Sequence, residues 1–158
     1  MDVAASVGKS NGRTQVPKPV LIVDDNEDDV LVLQRIMRRH GLINPVRTFS
    51  GGDEAIGYLA GEGRFSARSL FPYPCILFLD LELPRKSGKE VLHWISSHSE
   101  IPKFEVIIYT DIAMFPELQK CYELGATGFL FKQEQEAQFK KFLHEFSDLW
   151  QFRYPEEK

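Results

Sequence analysis

Cysteine is scarce in these 158 residues: Cys75 and Cys121 stand far apart, without the close pairs of a zinc site or the clustered spacing of a disulfide framework. That scarcity fits a reducing cytoplasm. The chain also lacks any run of about 18 apolar residues, the length needed to span a bilayer. Its N-terminal MDVAASVGKSNGRTQVPK has no apolar export segment, so no membrane association is expected. An excess of one charge is missing too: 23 acidic and 19 basic residues give a net charge of -4, and the basic ones are scattered or sit beside acids. Without a basic face, direct binding of nucleic acid is not expected. No internal repeat or low-complexity block interrupts the chain.

What is present is apolar surface in short, regularly spaced pieces. A hydrophobic content of 43% suits one domain, and a chain of this length buries roughly 70% of its unfolded surface. Residues 1–18 are small, polar and punctuated by proline, a composition expected to form a flexible arm. The domain is expected over 19–150, followed by a short tail at 151–158. VLIV at 20–23 reads as a strand, and the pattern after it places Val30, Leu33, Ile36 and Met37 on the inner face of a helix ending near Gly41. The alternation recurs with PVRTF and a helix over 50–61, CILFLD and a helix over 88–98 that Ser87 can cap. It continues with FEVIIYT and a helix over 113–124, then GFLF and a helix over 134–150. Five short strands alternating with five helices require parallel pairing, because each helix returns the chain to the same edge. The expectation is a doubly wound α/β sandwich, with 61–74 as a long connection of unassigned role.

In such sheets, ligands bind outside the carboxyl ends of the strands. The expected strand ends carry Asp24 and Asp25, Asp80, Thr110 and, directly after the fifth strand, Lys132. In the run DDNEDD, Asn26 suits an N-cap, and Glu27, Asp28 and Asp29 suit a first helical turn, where the macrodipole favours anions. Asp24 and Asp25 precede that cap, and crowding them beside Asp80 calls for a cation. Carboxylates with a backbone carbonyl and water form a hard, oxygen-only set that suits Mg²⁺. Asp80 could then attack phosphorus to give an acyl phosphate, with Thr110 and Lys132 holding phosphoryl oxygens. Lys132 and Thr110, each taken alone, also read as an ordinary surface lysine and a strand-end residue. His40, His93, His98 and His144 fall on or at the ends of the expected helices without ligand spacing.

Over about residues 19–150 the chain resembles a response-regulator receiver domain. The resemblance rests on VLIVDDNEDD, ILFLDLELPRKSGKEVL, VIIYT and GATGFLFK. It implies a five-stranded sheet in the flavodoxin-like order 2-1-3-4-5. It also implies Asp80 as phosphoacceptor, Asp24, Asp25, Asp80 and the backbone carbonyl of Glu82 as Mg²⁺ ligands, Lys132 as the phosphate-pairing lysine, and Thr110 with Phe129 as the switch pair. Phe129 equally suits plain core. Three residues depart from the family pattern. Gln133 stands where proline usually follows the lysine, Asp111 where a small residue usually follows the hydroxyl, and Glu82 is larger and more acidic than many residues two beyond the acceptor.

About eight residues follow the expected last helix, so no output module is expected and the output is contact with another protein. The resemblance implies a histidine kinase or phosphotransfer protein as donor and a downstream protein as target. The EVLHWI helix resembles single-domain regulators paired with bacterial phytochromes or other sensor histidine kinases. Phe139, Phe142, Leu143 and Phe146 suit the inner face of the last helix, whereas Trp150, Phe152 and Tyr154 exceed one stripe and raise a homodimer through that helix. Two other functions stay open: a phosphate-independent interaction module, and a Mg²⁺-dependent aspartyl phosphatase, against which Glu82 stands where a second aspartate is usual.

Overall fold

The computed structural model of the chain describes residues 18–150. The expected tail, with Phe152 and Tyr154, and all of the expected arm except Lys18 lie outside the described residues. Five strands, β1 (Val20–Val23), β2 (Val46–Phe49), β3 (Ile76–Leu79), β4 (Glu105–Thr110) and β5 (Gly128–Phe131), form one parallel sheet in the order β2-β1-β3-β4-β5. Between and after them run α1 (Glu27–Arg39), α2 (Gly52–Ala60), α3 (Gly88–Ser96), α4 (Leu118–Glu123) and α5 (Gln135–Glu145). The doubly wound sandwich and its strand order agree with the expectation.

The central strands β1 and β3 are buried at every position, which is why they read as unbroken apolar runs. Alternate residues feed opposite layers. Leu21, Val23, Leu77 and Leu79 pack with residues of α2 and α3, while Val20, Ile22, Ile76 and Phe78 pack with residues of α1 and α5. The chain leaves β1 toward β2 and later returns to the other side of β1 as β3. The strand order therefore reverses between β1 and β3, whose ends carry Asp24 and Asp80.

The helix ends follow their local chemistry. Asn26 Oδ1 accepts the Asp29 N–H at 3.0 Å at the start of α1, and Ser87 Oγ accepts the Glu90 N–H at 3.2 Å at the start of α3. Two expected helices are shorter than the hydrophobic pattern suggested. Residues 112–117 form a 3₁₀ turn that contains Pro116, and α4 begins only at Leu118. Proline has no N–H to give an α-helical bond, and its ring disfavours α geometry at Phe115. The last helix stops at Glu145 instead of continuing to residue 150, and a 3₁₀ turn over Ser147–Leu149 folds the chain back. That reversal buries Trp150 against Phe139, with ring centroids 5.9 Å apart, and lets its Nε1–H donate to the Phe142 carbonyl at 3.3 Å. Trp150 is thus core, which corrects its reading as surplus aromatic surface for a homodimer.

The 61–74 connection is built rather than loose. Phe65 and Phe71 pack edge-on at 5.3 Å and join Tyr58 of α2, whose hydroxyl donates to the Pro72 carbonyl at 2.6 Å. Arg68 donates to the Leu59 carbonyl at 2.7 Å, at the C-terminal end of α2, and its guanidinium lies 4.0 Å from the Tyr73 ring centroid. Among the described residues, no helix is long and apolar enough to cross a membrane.

Replacing Trp150 by alanine removes a buried ring and its hydrogen bond, and should cost about 3 kcal/mol of stability. Urea unfolding measures this, and an unchanged midpoint would contradict the core assignment.

Candidate functional site

The carboxyl ends of β1, β3, β4 and β5 converge on one edge. Backbone bonds carry the sheet ladder into the site: the Asp80 N–H donates to the Val23 carbonyl at 3.0 Å, and the Lys132 N–H to the Thr110 carbonyl at 2.9 Å. Asp24, Asp80 and Thr110 are buried, whereas Asp25 is exposed at the rim. The side chains are therefore held by the strands that precede them.

Lys132 lies at the centre. Its ammonium is 2.7 Å from Asp24 Oδ2, 2.9 Å from Asp29 Oδ2 and 3.1 Å from Asp80 Oδ2. The other oxygen of Asp80 accepts from the Thr110 hydroxyl at 3.3 Å and faces the Glu82 N–H at 3.4 Å. Asp24 Oδ1 accepts the Asn26 N–H at 2.9 Å. Burial raises the Asp24 carboxyl to about 6, although Lys132 and the Asn26 amide pull it down; the charge of Asp80 adds to the rise. Burial alone would lower the lysine, but Asp24, Asp29 and Asp80 together outweigh it and hold its ammonium charged.

Two features close the loop that follows Asp80. Gly88 opens α3 so near β3 that a Cβ there would strike the Asp80 carbonyl and lie 2.7 Å from Leu81 Cα. The Lys86 N–H donates to the Pro84 carbonyl at 2.7 Å across Arg85, which sits at φ 66° and pairs with Asp53 at 2.8 Å. The loop after Asp80 is thereby anchored to the start of α2.

One carboxylate oxygen from each of Asp24, Asp25 and Asp80 lies within 4.8 Å of the others. Asp24 Oδ2 is buried with the Lys132 ammonium 2.7 Å away. Three clustered carboxylates, a hard oxygen-only set, fit a divalent cation such as Mg²⁺. Glu82 is exposed at the turn beside Asp80. Phe129 is half-buried on the sheet face toward α4, 4.9 Å from Phe131.

The structure adds residues that the sequence reading assigned elsewhere or passed over. Asp29, expected as a first-turn acid, is also the third carboxylate on Lys132. The signal was available: with Asn26 as N-cap, Asp29 is the third helical residue, whose side chain reaches back toward the helix start. Tyr109 is fully buried, with its hydroxyl 2.9 Å from the Asp29 carbonyl and 3.0 Å from Gln135 Oε1. Gln135 Nε2 in turn donates to the Lys132 carbonyl at 3.2 Å. Burial, with the nearby Asp29 charge, raises the Tyr109 phenol and keeps it a neutral brace. Elsewhere, Cys75 and Cys121 are buried free thiols, and burial pushes Cys75 up to about 11, so neither suits a thiolate role.

The family model for the response regulator receiver domain matches residues 20–144. The chain is 25% identical to response regulator Rcp1 of Synechocystis over 85% of this chain and 89% of Rcp1. It is 30% identical to the polar-differentiation response regulator DivK of Brucella anthropi over 74% of this chain and 85% of DivK. The solved structure of the bacteriophytochrome response regulator AtBRR superimposes with a TM-score of 0.73 at 29% identity, covering 89% of this chain and 99% of that one.

Because Asp24 holds a proton below about 6 and must release it to ligate a metal, Mg²⁺ affinity should fall about tenfold between pH 7 and pH 5. Calorimetric titration at the two values checks this, and equal affinities would contradict the assignment.

Proposed function

The chain belongs to the response regulator receiver domain family of two-component signalling, and from that premise we propose that it is a phosphorylation-controlled switch with Asp80 as phosphoacceptor. One observation carries the reading: Asp80 presents one oxygen to the Lys132 ammonium and the other to the Thr110 hydroxyl, beside two further acids. A nucleophilic oxygen is thus surrounded by the groups that a phosphoryl anion needs.

In this reading Asp24, Asp25, Asp80 and the Glu82 carbonyl would hold Mg²⁺, which would supply charge neutralisation for phosphoryl oxygens. An Asp80 oxygen forms the new bond to phosphorus as the bond to the donor's imidazole nitrogen breaks; the imidazole leaves with that electron pair and takes a proton from water. Lys132 pairs with one phosphoryl oxygen. Thr110, already within reach of the acceptor, turns its hydroxyl to another. The product is an acyl phosphate bringing about two negative charges to the sheet edge.

Output follows from the same geometry. Thr110 ends β4, and the residues directly after it form the turn leading into α4. Movement of its hydroxyl shifts that turn, and Phe129 on the neighbouring strand repacks with it, altering the face made by α4, β5 and α5 that a protein target reads. A histidine kinase or phosphotransfer protein is the donor. Similarity to the bacteriophytochrome response regulator AtBRR favours a phytochrome-type sensor kinase. In this reading the receiver acts in the cytoplasm, and its output is contact with another protein.

Incubation with acetyl phosphate and Mg²⁺ should add one phosphoryl group by intact-mass measurement, and Asp80→Asn should abolish the gain. An unmodified wild type would favour the phosphate-independent interaction module instead.

A further inference from the structure

One side chain joins the loop after β4 to the loop after β5. Gln133 Oε1 accepts the Ile112 N–H at 2.9 Å, and Gln133 Nε2 donates to Asp111 Oδ2 at 2.9 Å. The other Asp111 oxygen accepts the Ala113 N–H at 2.8 Å. Thr110 is tied to the same place, since its carbonyl accepts the Lys132 N–H at 2.9 Å. Three consecutive residues at the end of β4, Thr110, Asp111 and Ile112, are thus fastened to two at the end of β5, Lys132 and Gln133.

We propose that Gln133 and Asp111 form a clamp that positions the Thr110 hydroxyl toward the acceptor. This rests on the phosphoacceptor reading above and extends it to two residues whose side-chain bonds go to each other and to the loop after β4, not to Asp80. The clamp needs an acceptor and a donor at the tip of one side chain. A proline, which the family pattern usually places there, has neither. The hydroxyl stands 3.3 Å from Asp80 Oδ1, a long contact for O–H···O. Its direction is set by the backbone of Thr110, and a free loop beyond Thr110 would let that backbone swing. Both side chains are exposed and cover no core, so their contacts are not explained by burial.

The test uses beryllofluoride with Mg²⁺ as a phosphoryl mimic, titrated by calorimetry against the full chain. Gln133→Met keeps the length and net charge but removes both bonds, and should weaken binding about fivefold, the scale of one exposed hydrogen-bond pair. In a Thr110→Ala background the same change should have no effect, because the group being positioned is gone. Exchanging the partners, Gln133→Glu with Asp111→Asn, keeps every donor facing an acceptor and should restore affinity to within about twofold of wild type. In metal-free protein, Gln133→Met should also speed hydrogen exchange of the Ile112 amide several-fold. If Gln133→Met binds as wild type, or loses the same factor with Thr110 absent, the clamp is overturned while the phosphoacceptor reading stands. A wild type that binds no beryllofluoride overturns both.

Discussion

The ammonium of Lys132 allows three carboxylates to share one corner of the fold. Asp24, Asp29 and Asp80 approach it from β1, α1 and β3, and without it each would face the others across a partly buried edge. Such crowding is tolerable only with a cation inside it. The lysine therefore keeps the acids together, and in the proposed reading it also stands ready to pair with a phosphoryl group on Asp80. Its position is itself secured, by the ladder bond to Thr110 and by the chain of contacts from Asp29 through Tyr109 and Gln135.

The sheet makes this convergence unavoidable. β1 and β3 are buried on both faces, so the chain cannot shift them without exposing two layers of core, and the residues that end them are held where the strands stop. The polar group at the end of a rigid strand has little freedom to lose when it meets a partner. The loops beyond the strands are more adjustable, and in this chain they are restrained individually, by Arg85 with Asp53 after β3 and by Gln133 with Asp111 after β4 and β5.

Much of this was legible from the sequence, because parallel topology turns four separate strand ends into one locality. Asp24, Asp25, Asp80, Thr110 and Lys132 could be gathered that way without knowing any distance. Side-chain direction was harder to read. Asp29 looked like a charge that suits any helix start, and only its place as third helical residue shows that it turns back to the lysine. Asp111 and Gln133 stood out as unusual residues, yet nothing in a sequence announces that two side chains 22 positions apart will bond to each other. Helix lengths failed where periodicity was the only guide. Pro116 shortened one, and the gain from burying Trp150 ended another, a tertiary effect that local pattern does not carry.

Denaturation of Lys132→Met with and without saturating Mg²⁺ tests the central claim most directly. If the ammonium holds the acids together, the metal-free variant at neutral pH should lose about 3 kcal/mol relative to wild type, and Mg²⁺ should return most of that loss. A variant as stable as wild type without metal, or one that Mg²⁺ stabilises no more than it stabilises wild type, would contradict it.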